Sequence, residues 1–404
     1  MKRREFLTST AGVLGLLQTL KANQEELKKN GKSAILLWMS GGPSTMDIWD
    51  LKPEASTGGP FRPIGTTGDV EICEHMPLMA KQMHNMAIIR SMSTREADHM
   101  RGRYYMHTGY VPNPSMEHPS YGSVLSHQLR RDDIEIPQFV TVGGGSMGAG
   151  FLGAQHNPFS VNSDGRIRNL DLKVDERLMQ RAYALDIIES SFINQKRGSL
   201  AKDHQSVLKQ TFNLLTSEQM KAFKVASEPE AVKERYGDNG FGKGCLMARR
   251  LVEVGVPFIE VNLGGWDNHQ NIHPTLKDNK LPVLDQGMSA LVEDLEQREL
   301  LKDTAIIWMG EFSRTPRING NAGRDHWARS WSVVVGGAGM NGGIAVGATS
   351  DDGTKVITDP YTSQDIMASV CKALGISLST TFTSNSGRPM KIANSGKIIK
   401  ELFV

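Results

Sequence analysis

Three polar segments each follow an apolar run and hold side chains that can grip a cation or an anion. The first reads Ser40-Gly-Gly-Pro-Ser-Thr-Met-Asp47-Ile-Trp-Asp50. Its glycines allow a tight turn with exposed backbone N–H groups, and Asp47 is placed to face a cation. An ordinary turn accounts for the Gly-Gly-Pro-Ser stretch equally well. The second reads Gly264-Gly-Trp-Asp267-Asn-His269-Gln-Asn-Ile-His273. Two residues apart in extended chain, Asp267 and His269 project to the same side, and a carboxylate with an imidazole suits zinc or another divalent ion. The bland reading is an Asx turn beside a solvated histidine.

The third segment runs from Gly310-Glu311 through Arg314 and Arg317 to Arg324-Asp325-His326-Trp327. An adjacent Asp-His pair can split its ligands between two ions, or the carboxylate can orient the imidazole from behind. Arg314, Arg317 and Arg324 offer forked donors for a phosphate or sulfate, although surface ion pairs account for Arg314 and Arg317 without any ligand. A fourth stretch, Arg90 to Gly109, adds Ser93 and Thr94 as candidate nucleophiles and His99 as a further candidate ligand. A hydroxyl at a helix start is as readily an N-cap as a nucleophile.

Positioning these loops requires rigid strands. Apolar runs at 34–39, 139–142, 258–263, 305–309 and 332–335, each followed by Gly or Ser, predict buried strands of a largely parallel sheet. Ligands of open α/β sheets bind at the carboxyl ends of such strands. Amphipathic spacing predicts two or three helices within 175–236, and further helices at 244–254, 281–301 and 366–374. The last follows a Thr362-Ser-Gln-Asp365 capping box and stops at Gly375. Neither an internal repeat nor a low-complexity linker divides the chain, so 30–404 reads as one α/β domain with helices on both faces of the sheet.

A hydrophobic share of 39% and a charged share of 22% describe a chain that buries a core. Its net charge of +2 supplies no field to gather nucleic acid. Cys73, Cys245 and Cys371 are far apart and form no CxxC pair, which excludes a zinc ribbon and predicts buried thiols. The start differs in character: Lys2-Arg3-Arg4-Glu5-Phe6-Leu7 precedes a short, mildly apolar run. Over 1–24 this has the layout of a twin-arginine export signal, an address read by the export machinery and too short for a stable membrane span. The expected location is periplasmic or otherwise outside the cytoplasm.

Six ordered motifs carry a resemblance: Ser-Gly-Gly-Pro-Ser at 40–44, Arg-Ser-Met-Ser-Thr at 90–94, Gly-Phe-Leu-Gly-Ala at 150–154, Gly-Trp-Asp-Asn-His at 265–269, Gly-Glu-Phe-Ser-Arg-Thr-Pro at 310–316 and Gly-Arg-Asp-His-Trp at 323–327. Together they resemble an exported bacterial domain-of-unknown-function family placed beside sulfatases in the alkaline phosphatase superfamily. The resemblance implies one or two divalent ions (zinc, calcium or manganese), a small anionic ester as substrate, and hydrolysis of phosphate or sulfate esters. It implies metal ligands at Asp267, His269, Glu311, Asp325 and His326, with Asp47 and His99 as additions. Arg103-Tyr-Tyr-Met-His107-Thr-Gly109 resembles the tail of the sulfatase nucleophile signature, but His99 stands where that signature has its Cys. The rival expectation is an exported binding or assembly protein that keeps the fold without turnover.

Overall fold

The structure, a computed structural model, describes residues 31–167, 176–195 and 200–404. The expected export signal at 1–24 lies outside the described residues. Eight strands form the central sheet: β1 (Ser33–Met39), β2 (Met86–Met92), β3 (Phe139–Val142), β4 (Phe159–Val161), β5 (Phe258–Leu263), β6 (Thr304–Met309), β7 (Trp331–Gly337) and β8 (Ala345–Val346). Their order across the sheet is β8-β2-β7-β6-β1-β5-β3-β4. Every neighbouring pair is parallel except the two that involve β7.

The antiparallel course of β7 has a simple cause. A parallel return needs a crossover, usually a helix. Between β6 and β7 the chain makes only a loop and a short ribbon, Ser313–Arg314 against His326–Trp327, so it turns straight back. Strand β2 was not foreseen, because Arg90 and Ser91 interrupt its apolar run; yet it lies inside the sheet with most residues buried.

Side chains of β1 alternate between two cores. Ile35, Leu37 and Met39 pack into one cluster, while Ala34, Leu36 and Trp38 pack into the other. Both faces are therefore dry, as expected of a parallel strand covered on each side. The first face is covered by α5 (Gly240–Val254) and α6 (Leu281–Gln297). The second is covered by α1 (His99–Thr108), α2 (Tyr121–Gln128) and α7 (Ser363–Ala373). Helices α3 (Glu176–Asn194) and α4 (Leu200–Thr216) pack on each other.

Helix ends follow local chemistry. Asp98 caps α1 by accepting from Arg101 N, and Gly109 ends it in the left-handed conformation at φ 73°. The capping box before α7 is present, with Asp365 Oδ2 accepting from Thr362 N at 2.8 Å. All three cysteines are buried free thiols, and burial pushes Cys73 up to about 12. Among the described residues no helix is long and apolar enough to cross a membrane.

Candidate metal centre

The carboxyl ends of β1, β5 and β6 lie side by side, so the loops after Met39, Leu263 and Met309 meet above the sheet. Close approach is built into the first of them. A Cβ at Gly41 would stand 2.6 Å from Asp267 N, and its φ of 116° is one that L side chains rarely adopt. On the other side α1 presses its start onto the β6 loop. A Cβ at Gly102 would meet the Phe312 ring at 3.1 Å and Glu311 at 3.2 Å. That contact sets His99 beside Glu311.

Three imidazoles are fixed from behind. His99 Nδ1 is 2.7 Å from Glu311 Oε1, His269 Nδ1 is 2.7 Å from Asp325 Oδ1, and His326 Nδ1 is 2.9 Å from Ala97 O. Each acceptor holds a proton on Nδ1, which leaves Nε2 as the bare nitrogen of the neutral ring. All three Nε2 atoms turn to one place. They lie 3.3, 3.0 and 3.3 Å from Asp267 Oδ1 for His99, His269 and His326 in that order. His269 Nε2 and His326 Nε2 are themselves 3.3 Å apart.

Ligand atoms of His99, Asp267 and His326 all fall within 4.8 Å of one another, close enough to hold one metal ion. The donor chemistry fits such an ion. Lone pairs and a carboxylate oxygen crowded at this spacing repel unless something positive sits among them, and His99 Nε2 is buried with no hydrogen-bond partner. The hydrogen bond to Glu311 is the largest influence on His99 and raises its pKa against the effect of burial. Burial alone would raise Asp267, but the hydrogen bond and charge of Arg314, with smaller help from His99 and His269, hold it at about 2. It is ionised at neutral pH.

Glu311 and Asp325 thus stand behind histidines. Glu311 Oε1 also accepts from Gly41 N at 2.9 Å, which takes up an N–H that the sequence offered to an anion. The arginines are committed as well. Arg314 is fully buried and places its five N–H groups on Gly42 O, Gly41 O, Arg324 O, His269 Nε2 and Asp267 Oδ1. Arg324 spends its own on Asp47, Thr57 O, Thr315 O and Pro316 O. Neither keeps a donor for an external ester.

Asp47 is drawn into that second fork. Arg324 Nε and Nη2 reach its two oxygens at 2.8 and 2.9 Å, Ser44 Oγ at 2.6 Å and His273 Nε2 at 3.3 Å. Its acceptor positions are filled without the histidine cluster. Ser93 and Thr94 lie just beyond β2, their N–H groups bonded to Tyr361 O and Ala328 O, and Thr94 Oγ1 is buried without a partner. Sequence reasoning overlooked His273 and the carbonyl of Ala97. The first is visible as a histidine in the Asp267 loop, whereas nothing in the sequence marks the second.

A family described as "Protein of unknown function (DUF1501)" matches residues 31–403. No curated protein matches. Among solved structures, the chain is similar to a sulfatase from Pseudoalteromonas sp., at 12% identity and TM-score 0.36, covering 87% of this chain and 72% of that one. It is similar to an alkaline phosphatase from the Antarctic bacterium TAB5, at 13% identity and TM-score 0.36, covering 85% and 98%. A protein in the alkaline phosphatase superfamily from Vibrio parahaemolyticus gives 10% identity and TM-score 0.39, covering 92% and 70%. Likenesses at these values assign no residue a role.

Proposed function

This chain belongs to the family of proteins of unknown function whose match spans residues 31–403, and from its own side chains we propose a metal-dependent hydrolase of phosphate or sulfate esters. One observation carries the reading. Three imidazoles are locked by Nδ1 acceptors so that their Nε2 atoms converge on the Asp267 carboxylate. Tautomer control of this kind is what metal-ligating histidines need.

In this reading His99, His326 and Asp267 hold one divalent ion, with His269 beside them, its Nε2 accepting from Arg314. Imidazole with carboxylate suits zinc or manganese, whereas calcium favours an all-oxygen set. A bound ion would supply Lewis acidity towards the ester and lower the pKa of water at the site towards neutrality. The chain's own contribution is placement. Glu311 and Asp325 fix the tautomer and orientation of His99 and His269, and Arg314 holds Asp267 ionised while tying its loop to Gly41 and Gly42.

The test is a screen of aryl phosphates, aryl phosphodiesters and aryl sulfates on protein loaded with zinc, manganese or calcium. Turnover of at least one ester class, lost on chelation and restored by zinc or manganese, is expected. Stoichiometric metal with no turnover of any ester would instead assign the fold a binding or assembly role.

We further propose that the protein works outside the cytoplasm. The support is the Arg3-Arg4 pair ahead of a short apolar run. An Arg3→Lys, Arg4→Lys variant should stay in the cytoplasmic fraction while the parent is exported, and equal export of both would refute the twin-arginine route.

A further inference from the structure

With Arg314 and Arg324 spent on protein acceptors, the centre needs another group to meet the charge of an ester. Helix α1 carries one. His99 and Arg103 are four residues apart, so their side chains rise from one face of α1 with Cβ atoms about 6 Å apart. One Nη2 proton of Arg103 goes to Gly145 O, on the loop after β3. Its Nε is buried without a partner, and the rest of the guanidinium makes no hydrogen bond to the described residues. No ion pair among the described residues includes Arg103.

Nearby acidic groups are already taken. Glu260, fully buried on β5, accepts from Ser146 Oγ and stands 3.4 Å from His107 Nε2 and 3.5 Å from Asn262 Nδ2. His107 is one turn beyond Arg103, with Nδ1 2.9 Å from Arg103 O and its ring packed on Trp38 at 4.1 Å. These contacts, together with the close seat of Gly102 on Phe312, fix the helix from which Arg103 projects. A partly buried guanidinium with free donors and no carboxylate is short of an anion.

We propose that Arg103 is the side chain that binds the anionic part of the ester, donating its uncommitted Nη N–H groups to non-bridging oxygens of a phosphate or sulfate at the His99 end of α1. The proposal rests on reading the His99, Asp267 and His326 cluster as a metal centre. It assigns to Arg103 the task that the sequence suggested for Arg314 and Arg324.

The experiment is titration calorimetry of inorganic phosphate, and separately sulfate, into the metal-loaded full chain, with metal content measured on each sample. Arg103→Gln should weaken phosphate binding about tenfold to a hundredfold at unchanged metal content, because charged hydrogen bonds are lost. Arg103→Lys should fall between, keeping the charge without the fork. Added guanidinium should restore part of the binding to Arg103→Gln. Unchanged phosphate affinity in a metal-replete Arg103→Gln protein overturns the proposal. So does an equal loss of metal and melting temperature in both variants, which would mark a purely structural role. A parent protein that takes up no metal sinks the reading of the centre itself.

Discussion

His326→Ala is expected to lose its bound metal, with elemental analysis after gel filtration falling from one equivalent in the parent to background. His99→Ala should do the same. Each removes an Nε2 donor from a cluster whose ligand atoms lie within 4.8 Å of one another, leaving too few donors to compete with water. Neither change threatens the fold, since His326 and His99 keep 27% and 34% of their side-chain surface exposed and line a loop rim, not the core. Glu311→Gln and Asp325→Asn act at one remove. They disturb the Nδ1 side of His99 and His269, together with the bonds from Gly41 N and Asn319 Nδ2, and leave the Nε2 donors in place, so they should weaken metal affinity about 10- to 100-fold without abolishing it. His273→Ala is the control. Its Nε2 faces Asp47, and its loss should leave metal content unchanged. Full metal in His326→Ala would overturn the centre.

What the sequence made visible follows from how local each signal is. Phe139–Val142 and Phe258–Leu263 have the bounds that their apolar runs suggest, because a buried parallel strand writes itself as a short continuous run. Strand direction is not local, and β7 was placed in a parallel setting although no helix precedes it. Loop positions at strand ends were legible for the same reason as the strands, and they placed Asp267, His269 and His326 within reach of one another. Partnerships were not. His99 meets Glu311 across 212 residues and His269 meets Asp325 across 56, so which carboxylate ligates and which stands behind a ring depends on long-range packing. Arginines mislead in the same way. A guanidinium near a site reads as an anion binder until the carbonyls of Gly41, Gly42 and Pro316 are seen to absorb its protons.

Arg324→Met should cost about 3–5 kcal/mol of stability, read as a lower midpoint in urea unfolding, because it strands a carboxylate that has no water to turn to. Arg324 is fully buried and Asp47 is 2% exposed, so this pair differs from the many surface ion pairs of the chain, whose loss costs little. Burial by itself would raise the Asp47 pKa, but the His273 hydrogen bond and the charge and hydrogen bonds of Arg324 outweigh it and hold the group at about 2, below the ordinary 3.8. A folded value below the unfolded one means that the stabilisation is complete above pH 3.8 and is lost as pH falls towards 2; at neutral pH it is about 2 kcal/mol. With methionine at 324 the burial effect is opposed by His273 alone, the Asp47 pKa rises, and this acid-dependent loss between pH 3.8 and 2 should shrink in the unfolding profile. The double variant Asp47→Leu, Arg324→Met removes both charges and leaves neither orphaned, so it should recover most of what the single change loses. A double variant no more stable than Arg324→Met would show that the carbonyl contacts to Thr57, Thr315 and Pro316, and not the ion pair, hold this loop in place.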